Sequence, residues 1–301
     1  VTRDRRWLFI GVLLTLGIGW GSTQSLGKIA VSTGYGHFGL IFWQLVIGAV
    51  VLGVVVALRR RPIPLTRDSL RFALVIALIG TIIPNSSFYA AVAHLPAGIM
   101  SILISTVPLL AFPIALALRS ERFSVARLMG LLAGLAGVIV IATPQAGLPA
   151  ATALAWVPLA MIGPLFYAIE GNVVARWGMA GLDPVQAMFA ASVVGAVVVL
   201  PMVLASGQWI TPVWPLGAPE RALVLSSVIH AFMYAGYVWL AAAAGAVFAT
   251  QTSYIVTAAG IGWAMLLLGE RFGPLVFVSA ALMACGLWLV RPEGARSGGQ
   301  V

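Results

Sequence analysis

Apolar stretches of about twenty residues recur along almost the whole chain, and the short connections between them carry most of the arginines. A helix needs about 20 residues to cross the hydrocarbon core of a bilayer, where its backbone must satisfy its own hydrogen bonds. Ten stretches meet that length, over about 7–30, 38–58, 70–92, 98–118, 125–142, 154–174, 185–205, 221–243, 246–268 and 273–290. Composition points the same way: 61% of the residues are hydrophobic and 8% are charged, against about 25% charged in a soluble domain. The pattern predicts an all-α integral membrane protein of ten transmembrane helices, with no room for a soluble domain and a disordered tail over 292–301.

The arginines orient the chain. With ten spans both termini share one side, and that side receives every arginine except Arg221 and Arg271, with Lys28 inside or at the end of the first span. Positive charge is retained on the cytoplasmic face, so both termini are expected there. Arg3, Arg5 and Arg6 before the apolar stretch from Trp7 resemble a signal peptide. The stretch continues past Gly21 without a small-residue cleavage site, and is read as a retained first helix. The net charge of +9 lies in these loops and forms no basic face, which argues against nucleic acid. Cys285, alone in an apolar run, permits no internal disulfide and is expected to be a small buried packing residue.

The halves repeat. A shift of 149 positions sets the stretch from Ala91 beside that from Leu240, Glu121-Arg122-Phe123 on Glu270-Arg271-Phe272, and Gly137 on Gly286. Five spans per unit is an odd number, so the second unit enters the membrane from the opposite side. The expected organisation is a first five-helix repeat over 1–146 and an inverted one over 147–291. Inverted repeats belong to secondary transporters, because two equivalent halves can exchange inward- and outward-open shapes.

Several motifs carry a family resemblance over about residues 7–290: Gly19-Trp20-Gly21 followed by Lys28, the apolar fourth span with Pro108, and Glu-Arg at the four–five and nine–ten junctions. With the fifth-span glycines Gly130, Gly134 and Gly137, the chain resembles the EamA-type ten-helix members of the drug/metabolite transporter superfamily. Within it the chain is similar to the YddG-like branch of amino-acid exporters. The resemblance implies a central cavity between the halves, lined mainly by spans 1, 3, 4, 6, 8 and 9, and a basic residue at Lys28 that closes or lines its outer end. Aromatic exporters of that branch carry bulky aromatic residues before the fourth-span proline. Ile104-Ser105-Thr106-Val107 stands here instead, which fits a broader neutral amino-acid range.

Ionisable residues at membrane depth are costly and normally face a cavity or a partner. Glu170, with Asn172 and Arg176 nearby, reads either as a coupling carboxylate for a proton or a substrate amine, or as a structural partner of an arginine. His230 either titrates during transport or bridges helices as a neutral hydrogen-bonding group. Lys28 and Pro108 complete the coupling or gating candidates; helix-interior prolines 84, 108, 113, 158 and 164 serve mobile kinks and static bends equally. Candidate substrate-binding residues are Trp20, Asn85, Tyr89, Ser101, Ser105, Tyr167, His230, Tyr234, Gln251, Tyr254 and Trp263, with Tyr237, Thr250 and Ser253 as further polar or aromatic groups within spans. Trp7, Trp209 and Trp214 fit an interfacial aromatic belt.

The expected function is export of amino acids or related small metabolites across the bacterial inner membrane by alternating access, without metal or cofactor. A proton-coupled multidrug efflux protein is the nearest alternative, although the first span has no carboxylate between Trp7 and Ala30. A membrane-embedded lipid enzyme would need clustered acid–base or metal-binding groups, whereas His37, His94 and His230 lie far apart in sequence. No Gly-rich Lys-Ser/Thr nucleotide motif occurs.

Overall fold

The computed structural model describes residues 3–119, 123–141, 151–244 and 252–289, and every regular element among them is helical. Helices α1 (Arg3–Ala30) and α2 (His37–Arg59) open the chain. A rod over Arg67–Val92 follows, made of α3 (Arg67–Ile76), a π-helical segment (Ala77–Ile82) and α4 (Ile83–Val92). Next come α5 (Ala97–Ile104), α6 (Val107–Ala117) and α7 (Val125–Ile141). Beyond a 3-10 turn at Ala151–Ala155 stand α8 (Trp156–Trp177), α9 (Pro184–Ser206), α10 (Ala218–Ala244), α11 (Thr252–Leu268) and α12 (Pro274–Leu289).

Six helices among the described residues are long and apolar enough to cross a membrane: Trp7–Ala30, His37–Arg59, Arg67–Val92, Ala97–Ala117, Ala153–Val174 and Pro184–Ala205. Their ends follow local chemistry. At α3 the Thr66 hydroxyl accepts from the Ser69 amide at 3.1 Å while the Ser69 hydroxyl accepts from the Thr66 amide at 2.9 Å. At α9 Asp183 and Gln186 make the same reciprocal cap, with Pro184 in the first turn where its missing N–H is harmless. Arg60, at φ 50°, and Gly207, at φ 67°, end α2 and α9 in the left-handed region.

Two expected spans, 70–92 and 98–118, are not continuous α-helices. In the first, the Ile83 amide reaches back to the Leu78 carbonyl, a π-type bond, and the following Pro84 offers no N–H. The second breaks at Ser105-Thr106. Their amides bond to Ile102 and Leu103 at 3.1 and 3.0 Å, and their hydroxyls bond to the same carbonyls at 2.7 and 2.6 Å. Pro108 then starts α6. Pro113 and Pro164 lie inside helices, whereas Pro158 falls in the first turn of α8.

Helix α1 packs on α10 and α11, the α3–α4 rod on α8 and α9, and α2 on α9 and α10. Helix α6 packs on α8, α5 on α11, and α7 on α12. Small residues set the closest approaches. A Cβ on Gly21 would stand 2.8 Å from the Gly260 amide nitrogen, and one on Gly286 would stand 2.6 Å from the Gly130 carbonyl oxygen. Lipid offers helices no hydrophobic gain on association, so dispersion contacts at such points carry the packing. Trp7, Trp209 and Trp214 are exposed. Cys285 is also exposed, on α12, contrary to the expectation of burial; it lies on an outward part of the helix, one residue before the α7-facing Gly286.

Candidate functional site

A cavity of about 590 Å³ lies between the helices, with walls from α1, α2, the α3–α4 rod, α5, α6, α8, α9, α10 and α11. The stripe that α10 contributes is legible in its sequence: Ser226, His230, Tyr234 and Tyr237 recur at spacings of four, four and three, which is one helical face. Trp20 of α1 closes the aromatic wall, its ring centroid 5.5 Å from Tyr237 and 6.3 Å from His230.

Across from that wall runs a hydrogen-bonded chain through three helices. Tyr167 donates to Asn85 Oδ1 at 3.1 Å, and Asn85 Nδ2 donates to Gln44 Oε1 at 3.2 Å. Tyr89 donates to the same Gln44 oxygen at 2.9 Å. Two donors saturate that carbonyl and so orient the amide of Gln44, itself a cavity-lining residue. Each link pairs groups that would otherwise be buried unsatisfied.

Glu170 lines the cavity and is 8% exposed. Among the described residues no hydrogen bond or ion pair engages its carboxylate. No described arginine pairs with it: Arg176 donates to the Leu118 carbonyl at 3.4 Å instead. Asn172 donates to the Ala168 and Ala111 carbonyls at 2.9 and 3.3 Å, tying α8 to α6. The carboxylate rests against Gly80 of the π segment, where a Cβ would collide with it. Among the described lining residues Glu170 is the one carboxylate, and no lysine or arginine stands there.

The two ends of the cavity differ. Toward the α1 N-terminus its lining reaches Ala115 and Val174, close to the ends of α6 and α8. At the other end Ala91, Val92, Leu95 and Ile99 are fully buried in an apolar plug with Val157 and Val276, and Ala97 is fully buried as well. Lys28 Nζ donates to the Leu95 and Val92 carbonyls at 2.6 and 3.0 Å. Glu270 accepts from the Ala97 and Gly98 amides at 2.8 and 3.1 Å. A cation thus meets the C-terminus of α4 and an anion the N-terminus of α5, the signs that the helix dipoles favour. His94 in the same turn stacks on Trp156 at 3.8 Å.

Of the residues singled out from sequence, Trp20, Asn85, Tyr89, Ser105, Pro108, Tyr167, Glu170, His230 and Tyr234 line the cavity, as do Tyr237 and Ser253. Three do not. Ser101 is fully buried, donating to the Ala97 carbonyl beside Gly260. Trp263 turns to the α1 backbone and donates to the Ile18 carbonyl at 3.1 Å, and Lys28 holds the closed end. Thr250, Gln251, Glu121 and Arg122 lie outside the described residues, as does the side chain of Tyr254. Sequence reading missed Gln44, whose signal was an amide inside an otherwise apolar span, and Gly80, which only contact with Glu170 reveals.

Comparison with known proteins adds a pattern of its own. The profile of the EamA-like transporter family matches the chain twice, over residues 7–143 and 154–291. A relative from Streptantibioticus cattleyicolor, named "Probable terminal-alkyne amino-acid exporter", is 26% identical over 292 residues, spanning 94% of this chain and 92% of the relative. A crystal structure superposes with a TM-score of 0.64 at 16% identity, covering 95% of this chain and 97% of that one, which bears on the fold alone.

Proposed function

The chain belongs to the EamA-like transporter family, a membrane transporter and not an enzyme, and from that premise we propose that it exports amino acids or related small metabolites by alternating access across a bacterial inner membrane. The observation that carries the reading is the central cavity: one buried carboxylate, a stripe of aromatic and hydroxyl groups, and an oriented glutamine amide, all between helices of both halves. The amino-acid class is favoured by the name of the relative from Streptantibioticus cattleyicolor.

Ten spans in two inverted five-helix units, over 1–146 and 147–291, give this cavity its logic. The packing supports that reading, because it maps onto itself when the halves are exchanged. Helix α1 against α10 and α11 corresponds to α8 against the α3–α4 rod and α6. Likewise α2 against α10 corresponds to α9 against the rod. Such equivalence lets one half adopt the other's tilt and so invert the opening. With both termini cytoplasmic, as the arginines direct, the plugged end at Lys28 and Glu270 faces outward and the cavity extends toward the cytoplasm.

Counterflow in proteoliposomes tests the proposal: unlabelled amino acids inside, labelled ones followed in from outside. Saturable, protein-dependent exchange is expected, with competitors ranking the substrates. No exchange across the amino-acid panel would sink the substrate class. A second reading, proton-coupled efflux of drugs or other metabolites, draws on the buried Glu170 carboxylate in a largely apolar cavity. It requires uptake of such compounds against an imposed proton gradient and its loss in Glu170→Gln.

A further inference from the structure

We propose that Glu170 and the π turn of the α3–α4 rod form a subsite for the primary ammonium group of the transported solute, so that the cavity recognises amines and does not require the carboxylate of an amino acid. The inference rests on the reading of this cavity as the solute site.

Three independent features converge. First, Glu170 is a carboxylate without a partner among the described residues, 8% exposed, on the cavity wall. A buried ionised group normally keeps a partner, because lost hydration costs several kcal/mol; a partner arriving with the solute fills that role. Second, the π turn that lies against this carboxylate is one donor short. The Ile83 amide serves Leu78, and Pro84 has no N–H for the next carbonyl, so the Ile79–Gly80 turn is short of a donor. Gly80 and Pro84 both line the cavity. Third, Gly80 lacks the Cβ that would collide with the Glu170 carboxylate, which is what allows the acid to lie against the turn.

A carboxylate against a turn that is one donor short favours a ligand that only donates. An ammonium group, with three donors and no acceptor, matches it. The rest of the wall decides what else the solute needs. With no lysine or arginine among the described lining residues, a monocation neutralises the cavity. The carboxylate of a zwitterion meets only neutral donors, such as the Gln44 amide. Charge-assisted hydrogen bonds are about twice as strong as neutral ones, so the ammonium dominates recognition. The aromatic faces of Trp20 and Tyr237 add attraction for a cation.

Calorimetric titration of the full chain in detergent tests this with four probes: L-leucine, L-leucinamide, N-acetyl-L-leucine and sodium chloride. Leucinamide is expected to bind at least as tightly as leucine, and N-acetyl-leucine at least about tenfold more weakly. Glu170→Gln should weaken leucinamide by a similar factor. Gly80→Ala should weaken it in the wild-type background but cost nothing further beside Glu170→Gln, which marks Gly80 as acting through the carboxylate. N-acetyl-leucine binding as tightly as leucinamide would overturn the proposal, and the ligand panel needs no variant to fold. Glu170-dependent heat from sodium chloride alone, with none from leucinamide, would overturn it in favour of a metal cation. Glu170-dependent binding without counterflow would sink only the transport reading, whereas normal counterflow and binding in Glu170→Gln would sink only this one.

Discussion

The Glu270 carboxylate accepts the Ala97 amide at 2.8 Å across 173 residues of sequence, and so caps the first turn of α5 from the junction before α12. Lys28 holds the other side of the same turn through the Leu95 carbonyl at 2.6 Å. Together they pin the segment that plugs one end of the cavity.

Removing either group should loosen that end. Glu270→Ala leaves two helix N-terminal amides without their carboxylate, a loss of about 1 kcal/mol for a cap, read as a lower Tm in detergent. Lys28→Met should cost a similar amount. The double variant should lose less than the sum, because both groups hold one turn. In a Cys285→Ser background, maleimide labelling of the buried Ser101→Cys should accelerate in either variant; unchanged labelling would show that the clamp does not hold the buried start of α5 in place.

Gly21→Ala tests a backbone-to-backbone contact between α1 and α11. Its Cβ would stand 2.8 Å from the Gly260 nitrogen and 2.9 Å from the Ala259 Cβ, so the helices must part. Overpacking of this kind costs about 1–3 kcal/mol. Both Tm and exchange should fall, since α1 and α11 each line the cavity; full activity with unchanged Tm would contradict the packing described.

Gly286→Ala separates stability from binding. The added methyl would meet the Gly130 carbonyl at 2.6 Å and the Gly134 amide at 3.0 Å, forcing α12 off α7. No described residue of either helix lines the cavity. Thermal stability should drop while the affinity of the folded fraction stays within about twofold, which corresponds to a surface-scale change under about 0.5 kcal/mol.

The Tyr35 hydroxyl donates to the Glu220 carboxylate, linking the α1–α2 connection to the start of α10. This bond, first among the causes, holds the Glu220 carboxyl below its ordinary value and raises the Tyr35 phenol. Its contribution should be present at neutral pH, fade as pH falls through the lowered carboxyl value, and fade again as pH rises through the raised phenol value. Both groups are near the surface, so salt should diminish it. The Tm difference between wild type and Tyr35→Phe, followed across pH, should peak between those limits; a flat difference would remove the coupling.

The α10 stripe shows what a single helix can announce. Ser226, His230, Tyr234 and Tyr237 share a face by spacing alone; that this face turns to the cavity comes from the packing of α10. Ser101 and Trp263 show the reverse. Both are polar or aromatic groups in mid-span, yet one satisfies its hydroxyl on its own helix and the other turns to a neighbouring backbone. Composition does not distinguish a hydroxyl aimed at solute from one aimed at a carbonyl four residues back. Gln44 and Gly80 carry no pattern along their own helices, because their role comes from Asn85, Tyr89 and Glu170 on other elements.

Sequence by itself determined that this chain lives in lipid, where its apolar stretches fall, that its halves echo each other, and to which family it belongs. Those properties are local or periodic, and each is written in consecutive residues. Tertiary structure alone decided that Glu170 lies against a π turn, that Gln44 is oriented by two donors, and that Lys28 and Glu270 seal the same turn. Such meetings depend on how each helix is rotated and how deeply it sits. Backbone contacts such as Gly21 on Gly260 and Gly286 on Gly130 set those variables, and they join residues that lie far apart along the chain.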